Sequence, residues 1–303
     1  VEIGPRTLIA GATGFIGGRL ARSLAEQNAT VRCLVRDRSK ADALEAAGLD
    51  LHVGDITDSE SLVGAAQDVE VAYFLVHAMA GGAGYAEREQ TGALNFARLA
   101  KREGVKRVIY LGGLGDESKS SHLNSRHETA RALAAKGPPL TYFRAAMVVG
   151  AGSESYRTLR YLVGRLPVMI APSWLRTPTQ PIGIDAVVEY LRRAPEIAES
   201  AGREVQIGGP DTLSYSEMMD RMAIALGKQP RPKMPFPFIT PWLSALWLGL
   251  ITPVDVKVAR PLVEGLTTPT VVTEPAGAKP FGISPETFDE ALRRALAEEV
   301  EQA

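Results

Sequence analysis

The stretch Thr7-Leu-Ile-Ala-Gly11-Ala-Thr13-Gly14-Phe15-Ile16-Gly17-Gly18-Arg-Leu20 decides how this chain is read. A short apolar run enters a glycine turn spaced G-x-x-G-x-x-G, and an amphipathic helical pattern follows at once. Such a turn presents backbone N–H groups and a helix amino end to an anion, so a cofactor diphosphate is its natural guest. The glycines have separate tasks: Gly11 makes the tight turn, Gly14 lets the diphosphate approach, and Gly17 lets helix pack on strand. Thr13, Phe15 and Ile16 complete the cradle. The strand before the motif and the helix after it distinguish it from an ordinary strand–helix turn.

Outward from this turn, periodicity gives strands at Thr7–Ala10, Thr30–Val35, Leu49–Val53, Val71–Val76, Arg107–Leu111 and Thr141–Arg144. Helical patterns lie between them at Gly17–Glu26, Lys40–Ala47, Ser59–Ala66, Tyr85–Arg102 and Ser125–Ala135. Fully apolar strands such as Val71–Val76 belong in the middle of a parallel sheet covered on both faces. The alternation therefore predicts an α/β, Rossmann-type doubly wound parallel sheet over residues 1–150. A helix at Asp185–Arg193 and a strand at Glu204–Ile207 return residues 182–209 to the sheet.

Residues 151–181 and 210–303 read as a smaller, mostly helical C-terminal substrate lobe. It is punctuated by proline: eleven of the twenty prolines lie between Pro230 and Pro285, which keeps its helices short. The chain should close on a helix over Pro285–Glu299, with Ser284-Pro285-Glu286 as a capping-type start. The apolar stretch 236–252 lies between Pro241 and Pro253, too close for the roughly 20 residues a bilayer span needs. Trp242, Leu246, Trp247 and Leu250 form one helical stripe. It reads as packing inside the second lobe; a homodimer contact or peripheral membrane attachment are the alternatives.

The totals narrow the classes. With 45% apolar and 23% charged residues in 303, the chain has the composition of a globular protein with a full core. A net charge of −1 with interspersed signs argues against nucleic acid and against a polybasic membrane tether. The single cysteine, Cys33, rules out an intrachain disulfide, and no charged-then-apolar leader precedes the first strand, so a cytoplasmic protein is expected. The four histidines, His52, His77, His122 and His127, form no metal-ligand cluster, and no Gly-x-Ser-x-Gly elbow is present.

The end of the second strand selects the dinucleotide. An acid there holds a ribose 2′-OH in NAD sites, and an arginine takes the 2′-phosphate in NADP sites. The chain reads Cys33-Leu-Val35-Arg36-Asp37-Arg38, so Arg36 favours NADP while Asp37 keeps an NAD reading open. After the third strand, Asp55 can accept from the adenine amino group while Ile56 covers the ring; a helix N-terminal aspartate is the alternative. Leu75, Val76 and His77 end the fourth strand, beneath the nicotinamide ribose by the rule that ligands bind outside the carboxyl ends of strands; a hydrogen-bonded structural histidine is the equal alternative for His77.

Taken with Val105-Lys-Arg-Val-Ile-Tyr-Leu111-Gly112-Gly113-Leu114-Gly115, these residues resemble the short-chain dehydrogenase/reductase superfamily in its atypical branch. The resemblance continues through Tyr73-Phe-Leu-Val-His77-Ala-Met79, His122-Leu-Asn-Ser125-Arg126, Ala151-Gly-Ser-Glu-Ser155-Tyr156 and Gln180-Pro-Ile-Gly-Ile184. It is closest to a subgroup of NAD(P)H-binding proteins that carry H-x-x-x-R where most of the superfamily has Y-x-x-x-K. The chain departs at Ala10, where extended members usually have Thr, and at Ala145, where many have Pro.

The resemblance implies that a serine just after the fifth strand is replaced here by Gly112-Gly113, and that His122 and Arg126 occupy the Tyr/Lys positions. His127 and Arg131 form a second pair at the same spacing. An imidazolium titrating near about 6.5 can protonate a nascent alkoxide or enolate. A neighbouring guanidinium lowers that value, so the pair His122 and Arg126, preferred because it falls in the His-Leu-x-Ser-Arg pattern, is better suited to clamping an anion; two residues that merely tie a loop down are the alternative. The expected function is an NADP(H)-dependent oxidoreductase acting on a small, fairly hydrophobic carbonyl or conjugated substrate. The alternative is a non-catalytic NAD(P)H-binding redox sensor or assembly protein. A sugar-nucleotide epimerase fits less well, because that chemistry relies on the absent tyrosine.

Overall fold

Strand alternation sorts the central side chains into two layers. Ile9, Cys33, Tyr73, Ile109 and Phe143 point to one face of the sheet, while Leu8, Leu34, Phe74, Tyr110 and Tyr142 point to the other. The computed structural model describes residues 5–76, 84–115, 121–165, 169–235 and 266–301. Seven strands make the sheet: β1 (Thr7–Ala10), β2 (Val31–Val35), β3 (Asp50–Val53), β4 (Val71–Phe74), β5 (Arg107–Gly113), β6 (Leu140–Ala145) and β7 (Glu204–Ile207). All pairings are parallel and the spatial order is 3-2-1-4-5-6-7. The order reverses between β1 and β4, and that switch point opens a crevice at the strands' carboxyl ends.

Helices cover both faces. α1 (Phe15–Glu26) and α6 (Ile184–Arg193) set Leu20, Leu24, Val187 and Leu191 on the Ile9 face. α3 (Tyr85–Arg102) and α4 (Ser121–Lys136) set Phe96, Ala97 and Leu133 on the other, and α2 (Asp42–Ala46) lies between β2 and β3 in sequence. Large side chains on both layers are fully buried, each stabilising the fold by about 1.5–3 kcal/mol. The Tyr73 hydroxyl is satisfied across the layer, donating to the Leu191 carbonyl at 3.0 Å.

A third apolar cluster stands apart from the sheet. α5 (Glu154–Arg165), α7 (Tyr215–Ala225) and α8 (Phe288–Glu301) bring together Tyr156, Leu159, Val163, Met218, Met222, Phe288 and Leu292, with Trp174 beside them. Ser214 and Glu217 form a capping box on α7. The segment 236–252 lies outside the described residues. Among those described, no helix is long and apolar enough to cross a membrane.

Several expectations change: the helix expected from Ser125 to Ala135 starts a turn earlier, at Ser121, and runs to Lys136, and the fourth strand ends at Phe74 rather than Val76. Ser59–Ala66 is no α-helix, only a 3-10 turn at Glu60–Leu62. Ser61 Oγ donates to the carbonyls of Asp55 and Asp58, Asp58 accepts from the Glu60 amide, and Gly64 adopts φ +81°. These local bonds compete with helix propagation, and the left-handed glycine ends it. α2 starts only at Asp42, because Asp37 first caps a separate 3-10 turn over Arg38–Lys40. α8 begins at Phe288 rather than Pro285, with Thr287 and Glu290 as its capping pair. Glu286 is engaged elsewhere, by Arg294 at 2.9 Å.

Cys33 is buried in β2, and that burial, reinforced by the Asp50 carboxylate, pushes its thiol up to about 12. A maleimide at mildly alkaline pH should therefore leave the folded protein unmodified and label it fully once urea unfolds it. Labelling of the native protein, read by mass spectrometry, would contradict the buried placement.

Candidate functional site

Gly11 follows β1 at φ +91°, and a Cβ there would lie 2.5 Å from the Leu75 carbonyl oxygen. The turn thus crosses directly over the end of β4, which only glycine permits. Gly17 is constrained by proximity instead: its Cβ would come 2.2 Å from the Gly11 carbonyl oxygen, so α1 rests on the turn itself. The Gly14 amide donates to Gly11 at 3.0 Å and closes the loop. Gly14 is the N-cap of α1, with no capping side chain, and no acidic residue lies in the first turn. The amino end of α1 therefore keeps its partial positive charge and unsatisfied N–H groups at the switch point, with Thr13 and Gly14 exposed beside it. This is the local chemistry of a diphosphate cradle.

Phe15 and Ile16 are half-buried in the first turn of α1. The Phe15 ring abuts Gly150 and Gly152, where a Cβ would sit 3.0 and 3.3 Å from it. Arg19 stacks over that ring at 5.1 Å, donates to the Ala151 carbonyl at 3.0 Å and pairs with Glu298 of α8. The cradle is thereby fastened to the segment after β6 and to the final helix.

At the end of β2, Arg36 is exposed and makes no ion pair or hydrogen bond among the described residues. Its basic neighbours are committed: Arg38 pairs with Glu45, and Lys40 lies 3.9 Å from Asp37. Asp37 is occupied as well, accepting from the Ser39 amide at 3.0 Å and its hydroxyl at 2.7 Å. The Ser39 hydrogen bonds hold the Asp37 carboxyl below its usual range. After β3, Asp55 accepts from the Thr57 amide and hydroxyl at 2.8 and 2.7 Å through Oδ1. Burial works to raise its carboxyl, but the Thr57 bonds and the positive Arg36 outweigh it and hold it low. Asp55 thus stays ionised as an acceptor. Ile56 is seated against α3, with its Cδ1 2.4 Å from where a Gly92 Cβ would be, and forms a fixed wall.

Leu75 is buried and its amide donates to Ala10 at 2.8 Å, so the strand-like path continues past Phe74, where β4 ends. Val76 is half-buried, and His77 lies outside the described residues. The structure thus gathers the glycine turn and Leu75 at one crevice and sets Arg36 and Asp55 at the ends of adjoining strands.

The carboxyl end of β5 is closed to a serine. A Cβ at Gly112 would lie 2.7 Å from Cε2 and 2.8 Å from the hydroxyl of Tyr142, and one at Gly113 would lie 2.6 Å from a Leu123 methyl. At both glycines a side chain would have to displace a neighbouring side chain. α4 carries His122 on its backbone, one turn before Arg126; the His122 side chain lies outside what the structure describes. Arg126 is half-buried and donates to the Leu111 carbonyl of β5 at 3.3 Å. It also lies against the buried Tyr110 phenol, whose burial raises its titration while Arg126 opposes the rise.

His127, of the second pair, is buried between Tyr142 Oη at 3.1 Å from Nδ1 and Arg144 Nη2 at 3.2 Å from Nε2. It and Arg131 line a separate cleft of about 400 Å³ between α4, β6 and the start of β7. Sequence reasoning missed Arg19, Tyr142 and Arg144. For Arg144 a signal existed: a charge inside the apolar run Thr141-Tyr-Phe-Arg144 requires buried partners. Among the described residues, no cluster of His, Cys, Asp and Glu is arranged to hold a metal ion.

Comparison with known proteins places this geometry. The model of the NmrA-like family matches residues 5–187. The "Sterol demethylase protein B" of Methylococcus capsulatus is 30% identical over 115 residues, which is 36% of this chain and 34% of that protein. The chain thus spans about a third of the length of that curated relative. Among solved structures, an NADPH-dependent quinone oxidoreductase from Escherichia coli superposes with a TM-score of 0.74 at 19% identity, covering 94% of this chain and 98% of that one. A triphenylmethane reductase from a Citrobacter species superposes at 0.76 and 16% identity, covering 96% and 99%. At such identities the structural likeness is one of fold.

Two substitutions check the close contacts. Gly17→Ala should cost about 1–3 kcal/mol in urea denaturation, because α1 must lift off the turn. Gly112→Ser should cost a similar amount, and less in a Tyr142→Ala background, where the space is vacated. Serine tolerated equally in both backgrounds would refute the filled pocket.

Proposed function

The chain belongs to the NmrA-like family, within the atypical short-chain dehydrogenase/reductase superfamily, and from that membership we propose that it is an NADP(H)-dependent oxidoreductase. Its substrate would be a small, fairly hydrophobic carbonyl or conjugated compound. The observation that carries the reading is the uncapped amino end of α1 at the switch point, with Arg36 exposed at the end of the neighbouring strand and in no hydrogen bond or ion pair among the described residues.

The residues fit the dinucleotide. Gly11, Thr13, Gly14, Phe15, Ile16 and Gly17 would hold the diphosphate through main-chain N–H groups. Arg36 would take the 2′-phosphate with its planar fork. Asp37 serves Ser39 through Oδ1 alone, so the preference for NADP over NAD rests on Arg36. Asp55 would accept from the adenine amino group through the oxygen that Thr57 leaves open, and Ile56 would border the ring. Leu75, Val76 and His77 would floor the nicotinamide ribose. When bound, NADPH supplies hydride. His122 would hold the proton that the substrate oxygen receives, and Arg126 would place positive charge beside the developing anion. The cluster of α5, α7 and α8 would close over the substrate as a second lobe, with residues 151–181 and 210–303. The quinone oxidoreductase and the triphenylmethane reductase, solved with NADPH and NADP(H), support the cofactor assignment.

A second reading is a non-catalytic NADP(H)-binding sensor or assembly protein. It is favoured by the closure of Gly112 and Gly113 to serine and by Arg126 donating into the fold at Leu111.

Purified protein mixed with NADPH and a panel of quinones, enones and aldehydes separates the two. Loss of NADPH absorbance that His122→Ala abolishes supports the enzyme. Tight binding with no turnover across the panel supports the sensor. In fluorescence titrations, Arg36→Ala should weaken NADPH about 10- to 100-fold, the loss of one charge-assisted contact, and NADH by about twofold at most. Equal losses would contradict the 2′-phosphate role.

A further inference from the structure

We propose that Arg144 is the positioning residue that holds Gly113 and Gly115 after β5, and through their packing on Leu123 the first turn of α4, with His127 as the neutral acceptor that holds Arg144 in place. Arg144 lies in β6 next to β5 and is largely buried. Its Nε donates to the Gly113 carbonyl at 3.2 Å, and its Nη2 donates to the Gly115 carbonyl. Nη1 pairs with Glu204 of β7 at 2.6 Å. Nη2 also meets His127 Nε2 at 3.2 Å.

The protonation of His127 follows from these partners. A guanidinium has only donors, so Nε2 must accept. The ring proton is then on Nδ1, which donates to Tyr142 Oη at 3.1 Å, and the imidazole is neutral. Tyr142 in turn fills the space beside Gly112. Within the quartet Tyr142, His127, Arg144 and Glu204, Tyr142 packs against Gly112 and Arg144 alone grips main chain.

The grip is transmitted onward by contact. Gly115 has φ +128°, and a Cβ there would lie 3.0 Å from Leu123 of α4 and 3.3 Å from the Thr270 methyl. Thr270 is itself anchored, its hydroxyl donating to Thr179 at 2.7 Å and its amide to Pro178 at 3.1 Å. The loop is thus wedged between α4 and a fixed segment, so the turn carrying His122 follows the position of Gly113 and Gly115. Lysine cannot reproduce this, since a point charge does not fork to two carbonyls, an imidazole and a carboxylate.

The kinetic consequence rests on the oxidoreductase reading; the mechanical one does not. In Arg144→Lys, hydrogen exchange should accelerate at Gly112–Gly115 and in the first turn of α4 while other protected segments keep their rates. NADPH affinity should stay within about twofold and kcat fall at least about tenfold, the pattern of misplaced catalytic groups. His127→Leu should loosen the same amides, and His127→Gln, which restores a neutral acceptor, should recover most of the protection. Wild-type exchange in Arg144→Lys, or equal behaviour of the leucine and glutamine variants, overturns the proposal. If Arg144→Lys fails to fold, the His127 pair decides alone. If the wild-type protein turns over no panel substrate, the oxidoreductase reading fails, and the exchange data still decide the clamp.

Discussion

The approach of Gly17 to the Gly11 carbonyl is the contact on which the remaining architecture depends. With no side chain between them, the amino end of α1 sits directly on the turn after β1. That seating aims the helix dipole at the switch point rather than past it. It also lets Leu20 and Leu24 reach the Ile9 face of the sheet, where they join Val187 and Leu191 of α6. A methyl group at position 17 would force a choice between the binding geometry and the core.

The site is assembled from strand ends, and the sheet's register decides what stands beside what. Ala10 is opposite Leu34 on one side and Phe74 on the other, so the segments after β1, β2 and β4 emerge together. Arg36, the glycine turn and Leu75 are neighbours for that reason, although they are separated by dozens of residues in sequence. The β5 end differs in kind. There the cross-strand pair Gly112 and Arg144 sets a cation beside main chain, and Arg144 donates to the Gly113 and Gly115 carbonyls.

Much of this was legible in the residues themselves. The order of strands and helices, the tight glycine turn and the return of Glu204–Ile207 to the sheet follow from periodicity and glycine spacing, which act over short range. The segment Ser59–Ala66 shows where that logic stops: its apolar spacing suited a helix, but Ser61 and Asp58 found closer backbone partners. Arg144 and Tyr142 were not read as a unit because their partners come from β5, α4 and β7, and no local pattern encodes contact across three elements.

Arg19 carries a consequence for how the molecule matures. Its pairing with Glu298 joins residues 279 positions apart, and its bond to Ala151 spans 132. Contacts this distant form late, because the intervening chain must first be ordered. The glycine motif leaves the ribosome long before α8 does, so its helix can gain the Ala151 bond first and the Glu298 pair only once α8 has been synthesised and docked. Nascent chains halted before α8 would carry the complete fingerprint with one of its two Arg19 fastenings missing.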